Sequence, residues 1–177
     1  MRDHFPIQSV FALALFLIAG CAVTPTIEQV RPIKVDLSLY RSIQVVVDAR
    51  ENIRRYRGYN FAATELRKAF IADVLASGKY ASVGTEAQTG KSLEVSLTIT
   101  DFFYVSDSID EWTRKYFGTG QAILEVTMTL KDNETGAVIG AIAAGHTDRV
   151  SKGQSSVPTS IQIAAIAKAL SSRVTNR

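Results

Sequence analysis

The sequence predicts an α+β fold: a two-layer sandwich of one mostly antiparallel five-stranded sheet with two helices on one face. Three observations lead there. Residues 93–104 and 121–131 alternate apolar and polar side chains, the mark of strands with one wet face. Two other stretches place apolar residues at helical spacing, Ala62, Leu66, Phe70 and Val74 in one, Ile163, Ile166, Ala167, Leu170 and Val174 in the other. The segment Asp132-Asn133-Glu134-Thr135-Gly136 reads as the turn of a hairpin. In chain order the elements run β-α-β-β-β-β-α, and strands and helices in this order pack as two layers.

Element by element, residues 42–48 (SIQVVVD) are rich in β-branched side chains and largely apolar, a buried strand. A basic loop follows over residues 50–60, with Asn60 as the predicted N-cap of the first long helix. Gly78 is placed to end that helix, and residues 80–83 form a short strand. The first β-α-β step predicts a right-handed crossover. After the strand 93–104 comes a long connection over residues 105–118. The strand 121–131 then pairs through the turn with residues 137–145, a strand of small side chains. Thr159 and Gln162 have the spacing of a capping box at the start of the last helix.

Composition narrows the function classes. Of 177 residues 46% are hydrophobic, enough for one core. The formal charge of +3 is too balanced to imply nucleic acid as a partner. One cysteine excludes an intramolecular disulfide framework and any multi-cysteine metal site.

That cysteine closes an unbroken apolar run. The run extends over 14 residues, 10–23, whereas a bilayer-spanning helix needs about 20. It therefore reads as an export signal. Leu17-Ile18-Ala19-Gly20 directly precedes Cys21 and resembles the lipobox of bacterial lipoproteins. The resemblance implies cleavage between Gly20 and Cys21, with lipid joined to the Cys21 sulfur. Ala22, in place of aspartate, resembles the signal for the outer membrane. Residues 1–20 are then a signal peptide, 21–41 the lipidated cysteine and a flexible tether, and 42–177 a single periplasmic domain. Pro25 and Pro32 discourage a helix in the tether, whose twenty or so residues would reach at most roughly 70 Å.

Familiar catalytic patterns do not fit. Gly84 and Gly90-Lys91-Ser92 have five residues between the glycines rather than four, and they lead into a strand, where a phosphate loop opens a helix. Gly118-Thr119-Gly120 also feeds a strand and lacks the third glycine of a dinucleotide fingerprint. Past Cys21 the only histidine is His146, too few nitrogen ligands for catalytic zinc. There is no nucleophile elbow. Asp101, Asp107, Asp110 and Glu111 could pair as carboxylates for glycoside cleavage, though three of them share one loop and suit a solvated surface. The expectation is no catalytic residue, no metal and no cofactor.

Two clusters suit binding instead. Arg50, Arg54, Arg55, Tyr56, Arg57 and Tyr59 put four arginines and two tyrosines in ten residues. Guanidinium groups clamp phosphates or carboxylates, and both residue types stack on rings. If the strand before this loop has a parallel neighbour, ligands bind at such a strand end. The second cluster is Trp112, Arg114, Lys115, Tyr116 and Phe117, a set of interface anchors or a cover for the sheet edge.

From Leu93 to Thr147, the phrases LEVSLTITDF, QAILEVTMTLKD and ETGAVIG resemble the bacterial lipoproteins of the domain of unknown function 4410. More distantly, the element order is similar to small domains of Tol-system, curli-secretion and peptidoglycan-synthase-activator lipoproteins. These resemblances imply a non-enzymatic binding or accessory factor, held in the outer membrane by its lipid. Its partner would be an envelope protein or an anionic envelope polymer, not nucleic acid. An envelope hydrolase and a subunit of a secretion or pore assembly are the alternatives, and oligomeric state stays open.

Overall fold

The computed structural model describes residues 23–86, 90–106, 122–147 and 157–175. Six strands form one mixed sheet: β1 (Thr26–Arg31), β2 (Ser42–Ala49), β3 (Ser82–Gly84), β4 (Ser92–Phe103), β5 (Ile123–Asp132) and β6 (Val138–Thr147). Their order across the sheet is β1-β6-β5-β4-β2-β3. Neighbours β1–β6, β6–β5 and β5–β4 are antiparallel, whereas β2 runs parallel to both β4 and β3. The helices are the one-turn α1 (Glu51–Arg54), α2 (Tyr59–Ala76) and α3 (Thr159–Thr175).

The alternation in sequence becomes the two faces of the sheet. Ile43, Val45 and Val47 on β2, Leu93, Val95, Leu97 and Ile99 on β4, and Leu124, Val126, Met128 and Leu130 on β5 are buried together with the apolar stripes of α2 and α3. The residues between them, such as Ser96, Thr98, Thr127 and Thr129, lie on the helix-free face and are partly exposed. Burying large apolar side chains contributes about 1.5–3 kcal/mol each, which makes this one-sided core the main force holding the layers.

Three expectations are corrected. The sheet has six strands, not five, because part of the expected tether folds into it. Residues 26–31 pair with β6, in register Thr26 with Gly145 and Ile27 with Ala144. Beyond β1, Ile33, Leu37 and Tyr40 are buried. The folded unit therefore begins well before residue 42. Its edge strand has little apolar pattern of its own and gains its hydrogen bonds from β6.

The helix caps also differ. The residue before α2 is Gly58, at φ +84°, not Asn60, and no side chain caps that end. A left-handed turn that glycine enters at low cost takes the place of a side-chain cap. Thr159 and Gln162 do not form a capping box: the Thr159 hydroxyl accepts from the Val105 amide (2.9 Å), and the Gln162 amide donates to the Ala122 carbonyl (3.3 Å). Both residues are fully buried, and satisfying the strand-end backbone there matters more than capping.

Candidate functional site: the basic loop at the carboxyl end of β2

Strand direction decides what meets at each end of the sheet. The carboxyl ends of β2, β4 and β6 and the amino ends of β1 and β5 lie at one end. The basic loop starts there, after Ala49, beside the parallel strand β4. This is the position where open sheets with parallel strands bind ligands.

The loop is built on α1, which the sequence reading did not foresee. Ile53 is buried and pins this single turn onto the core. Arg54 ties it to the strand end twice, donating Nε to the Ala49 carbonyl (2.9 Å) and pairing with the Asp48 carboxylate at 2.6 Å. Arg55 pairs with Glu51 one turn back at 2.5 Å, both side chains well exposed. Gly58 then closes the loop. A Cβ on it would stand 2.6 Å from the Tyr104 ring, so only glycine lets the loop approach β4 so closely. Tyr104 in turn meets Phe61 edge to face, centroids 5.9 Å apart.

Of the residues expected to bind, Arg54 is thus a mount and Arg55 is half-committed to Glu51. Tyr59 packs against the core, and burial, helped by the Asp48 carboxylate, raises its pKa. Tyr56 is 53% exposed. The guanidinium groups of Arg50 and Arg57 are exposed and make no ion pair with a described residue. Among the described residues, the loop's exposed and uncommitted side chains are therefore Arg50, Arg57 and Tyr56.

Trp112, Arg114 and Tyr116, with Lys115 and Phe117, lie outside the described residues, as do Gly20 and Cys21. The described residues flanking the Trp112 segment, Ser106 and Ala122, stand at the same sheet end as the basic loop. Sequence reasoning missed the apolar neighbours Phe61, Phe103 and Ile161, which are exposed at this end. Their signal was faint: Phe61 and Ile161 fall off the buried helical stripes.

Chemistry elsewhere is sparse among the described residues. No three His, Cys, Asp or Glu side chains gather where a metal ion could sit. His146 lies near the end of β6 opposite Leu124, its Nε2 buried with no hydrogen-bond partner among the described residues. A shallow depression of about 570 Å³ on the helix-free face is lined by Thr26, Glu28, Thr100 and Glu125. No helix among the described residues is long and apolar enough to cross a membrane.

No protein-family model and no curated protein sequence matches the chain. Solved structures do. The PelC dodecamer from Paraburkholderia phytofirmans superposes at TM-score 0.56 and 16% identity, covering 87% of this chain and 99% of that one. A second crystal form, of a PelC point variant, gives TM-score 0.56 over 86% and 98%. The protein XCC0632 from Xanthomonas campestris, of family DUF330, is similar at TM-score 0.45 and 16% identity over 89% and 91%. At this identity the PelC likeness establishes a shared fold alone, over 87% of this chain and 99% of that one.

Proposed function

We propose that this chain is a non-enzymatic accessory lipoprotein of the bacterial outer membrane, facing the periplasm, that works by binding an acidic or anionic envelope partner. The lipobox around Cys21 supports the anchor, and the resemblance to the domain of unknown function 4410 supports the class. The observation that carries the binding role is the mounted loop: Arg54 fixes it to Asp48 and Ala49, and Arg50, Tyr56 and Arg57 are exposed on it, the two arginines without an ion pair to a described residue. The polar groups with the most bonds, such as Asp132 with its tyrosine and amide donors, are engaged in the fold itself.

Crosslinking in living cells from position 56 tests the binding role, with the Arg50→Ala/Arg57→Ala variant as control. Capture that the double variant weakens supports it, and unchanged capture counts against it. Arg54 is left intact so that the loop stays in place. Turnover of peptidoglycan or lipopolysaccharide fragments by the purified chain would overturn the non-enzymatic reading.

A second reading, a subunit of a ring or pore assembly, draws on PelC being a dodecamer in its crystals. In this chain β1 is an edge strand with five of its six residues exposed, and such an edge can pair with another copy. A detergent-solubilised chain that sediments as a monomer at high concentration counts against this reading.

A further inference from the structure

We propose that the basic loop end of the sheet rests against the anionic phospholipid leaflet that holds the anchor. The inference deepens the lipoprotein reading above and rests on it. It follows from where the chain enters the fold. Cys21 precedes Thr26, the first residue of β1, by five positions, and five residues reach at most about 18 Å. Because Thr26 pairs with Gly145 and β6 runs antiparallel to β1, that entry point is at the same end as the carboxyl ends of β2 and β4. β1 and β2 are four strand spacings apart in the sheet, about 19 Å. A lipid on Cys21 therefore holds this end of the sheet close to the bilayer, with the loop beside the anchor.

The side chains at this end suit a lipid surface. Tyr56 (53% exposed), Phe61 (41%), Phe103 (48%) and Ile161 (48%) are four of the seven large apolar side chains exposed among the described residues. Tyr56 follows β2, Phe103 ends β4, and Phe61 and Ile161 lie in the first turns of α2 and α3. Aromatic rings sit favourably at headgroup level, where one part of the ring is apolar and the other wet. From Asp48 to Tyr59 four arginines meet two acids. Asp48 and Glu51 are both paired already, with Arg54 and Arg55, so Arg50 and Arg57 carry the excess charge. An anionic leaflet attracts such groups over about a Debye length. The exposed acids nearby among the described residues, Asp101, Glu125 and Glu28, lie two residues inward from the strand ends Phe103, Ile123 and Thr26.

The test uses the full lipidated chain in phosphatidylethanolamine/phosphatidylglycerol vesicles. Cys21 is the only cysteine, and its sulfur carries the lipid, so a single added cysteine takes a fluorophore cleanly. One label replaces Tyr56→Cys. The other replaces Leu39→Cys, exposed at the opposite end of β2, about 25 Å away along the strand. A headgroup-borne quencher is expected to quench position 56 more than position 39. That difference should be lost in the Arg50→Glu/Arg57→Glu background and should shrink in high salt. Equal quenching at both positions, or stronger quenching at 39, overturns the proposal, as does a position-56 label that is buried by a captured protein and not quenched. Intact mass separates the two readings. An unacylated Cys21 brings down the anchor and this inference together, whereas an acylated chain without the quenching difference brings down this inference alone.

Discussion

The two ends of the sheet use the same residue types for opposite purposes. At the end away from the basic loop, polar side chains are sunk into the fold. The Tyr40 hydroxyl donates to Asp132 (2.8 Å), whose other carboxylate oxygen accepts from the Glu134 and Thr135 amides (both 2.9 Å). Asn133 donates to Ser92 (3.0 Å), and Lys91 lies over the Tyr40 ring at 5.4 Å. These bonds tie the β5–β6 turn to the start of β4 and to the segment leading into β2. At the other end, Arg50, Tyr56 and Arg57 are left in solvent. A tyrosine with a buried carboxylate partner stabilises a fold, whereas an exposed tyrosine near Arg50 and Arg57, which pair with no described residue, is available to something outside it. Substitutions at the first end should therefore cost stability, and those at the second should cost binding.

The largest expected effect is at the closed end. Tyr40→Phe removes a bond to an ionised acceptor, which contributes about 1.5–3 kcal/mol, and the urea midpoint should fall with no change in slope. The same bond gives two pH signatures. Amide and tyrosine donors hold the Asp132 carboxyl below its ordinary 3.8, so its stabilisation is present above that value and is lost as pH falls below it. Burial first, then Asp132, raises the Tyr40 hydroxyl from 10 to about 12, and burial raises Tyr80 likewise to about 12. Their stabilisation is full below pH 10 and disappears as pH climbs through about 12. Tyr40→Phe should flatten both limbs of a stability–pH curve. Unaltered limbs would show that the clasp does not form.

Next comes Gly140→Ala. A Cβ there would stand 2.5 Å from Ile33 Cγ1 and 3.4 Å from its Cα. Overpacking of this kind costs about 1–3 kcal/mol. Because Ile33 follows β1, hydrogen exchange should rise selectively in residues 26–31. Uniform exchange would mean that β1 does not depend on this contact.

At the open end, Gly58→Ala should cost about 1–2 kcal/mol from the left-handed backbone alone, and more through displacement of the Tyr104 ring. Like the loss of the Arg54 mount, it is expected to lower stability and disturb the loop together, so these two positions mark where the two ends stop being separable. Arg54→Ala should cost less, about 0.5–1 kcal/mol, because the pair with Asp48 is half exposed and screened. Smallest of all, Arg57→Glu should shift thermal stability by no more than about 0.5 kcal/mol while weakening capture at the loop. A clear loss of stability in Arg57→Glu would break the division between the two ends.

How much was legible differs by residue. The strands around Val45, Leu97 and Met128 and the stripes Leu66–Phe70–Val74 and Ile163–Ile166–Leu170 could be read directly, since each repeats at the period of its own backbone. The basic loop was legible as composition. Its division of labour was not, because Arg54, Arg55 and Arg57 differ only in their neighbours. Asp48 and Ala49 claim the first and Glu51 the second, and no described residue pairs with the third. Likewise Thr159 and Gln162 have the spacing of a capping box, yet Val105 and Ala122, distant in sequence, take their polar groups.

By itself, then, the sequence determined what depends on near neighbours: the alternating strands, the amphipathic helices and the turn at Asp132. Tertiary structure alone decided that residues 26–31 are a strand, because their pairing partner is β6, more than a hundred residues away. It also decided that this strand enters at the same end as the arginine loop. Strand direction within a sheet is set by pairing between distant segments, and no local pattern encodes it.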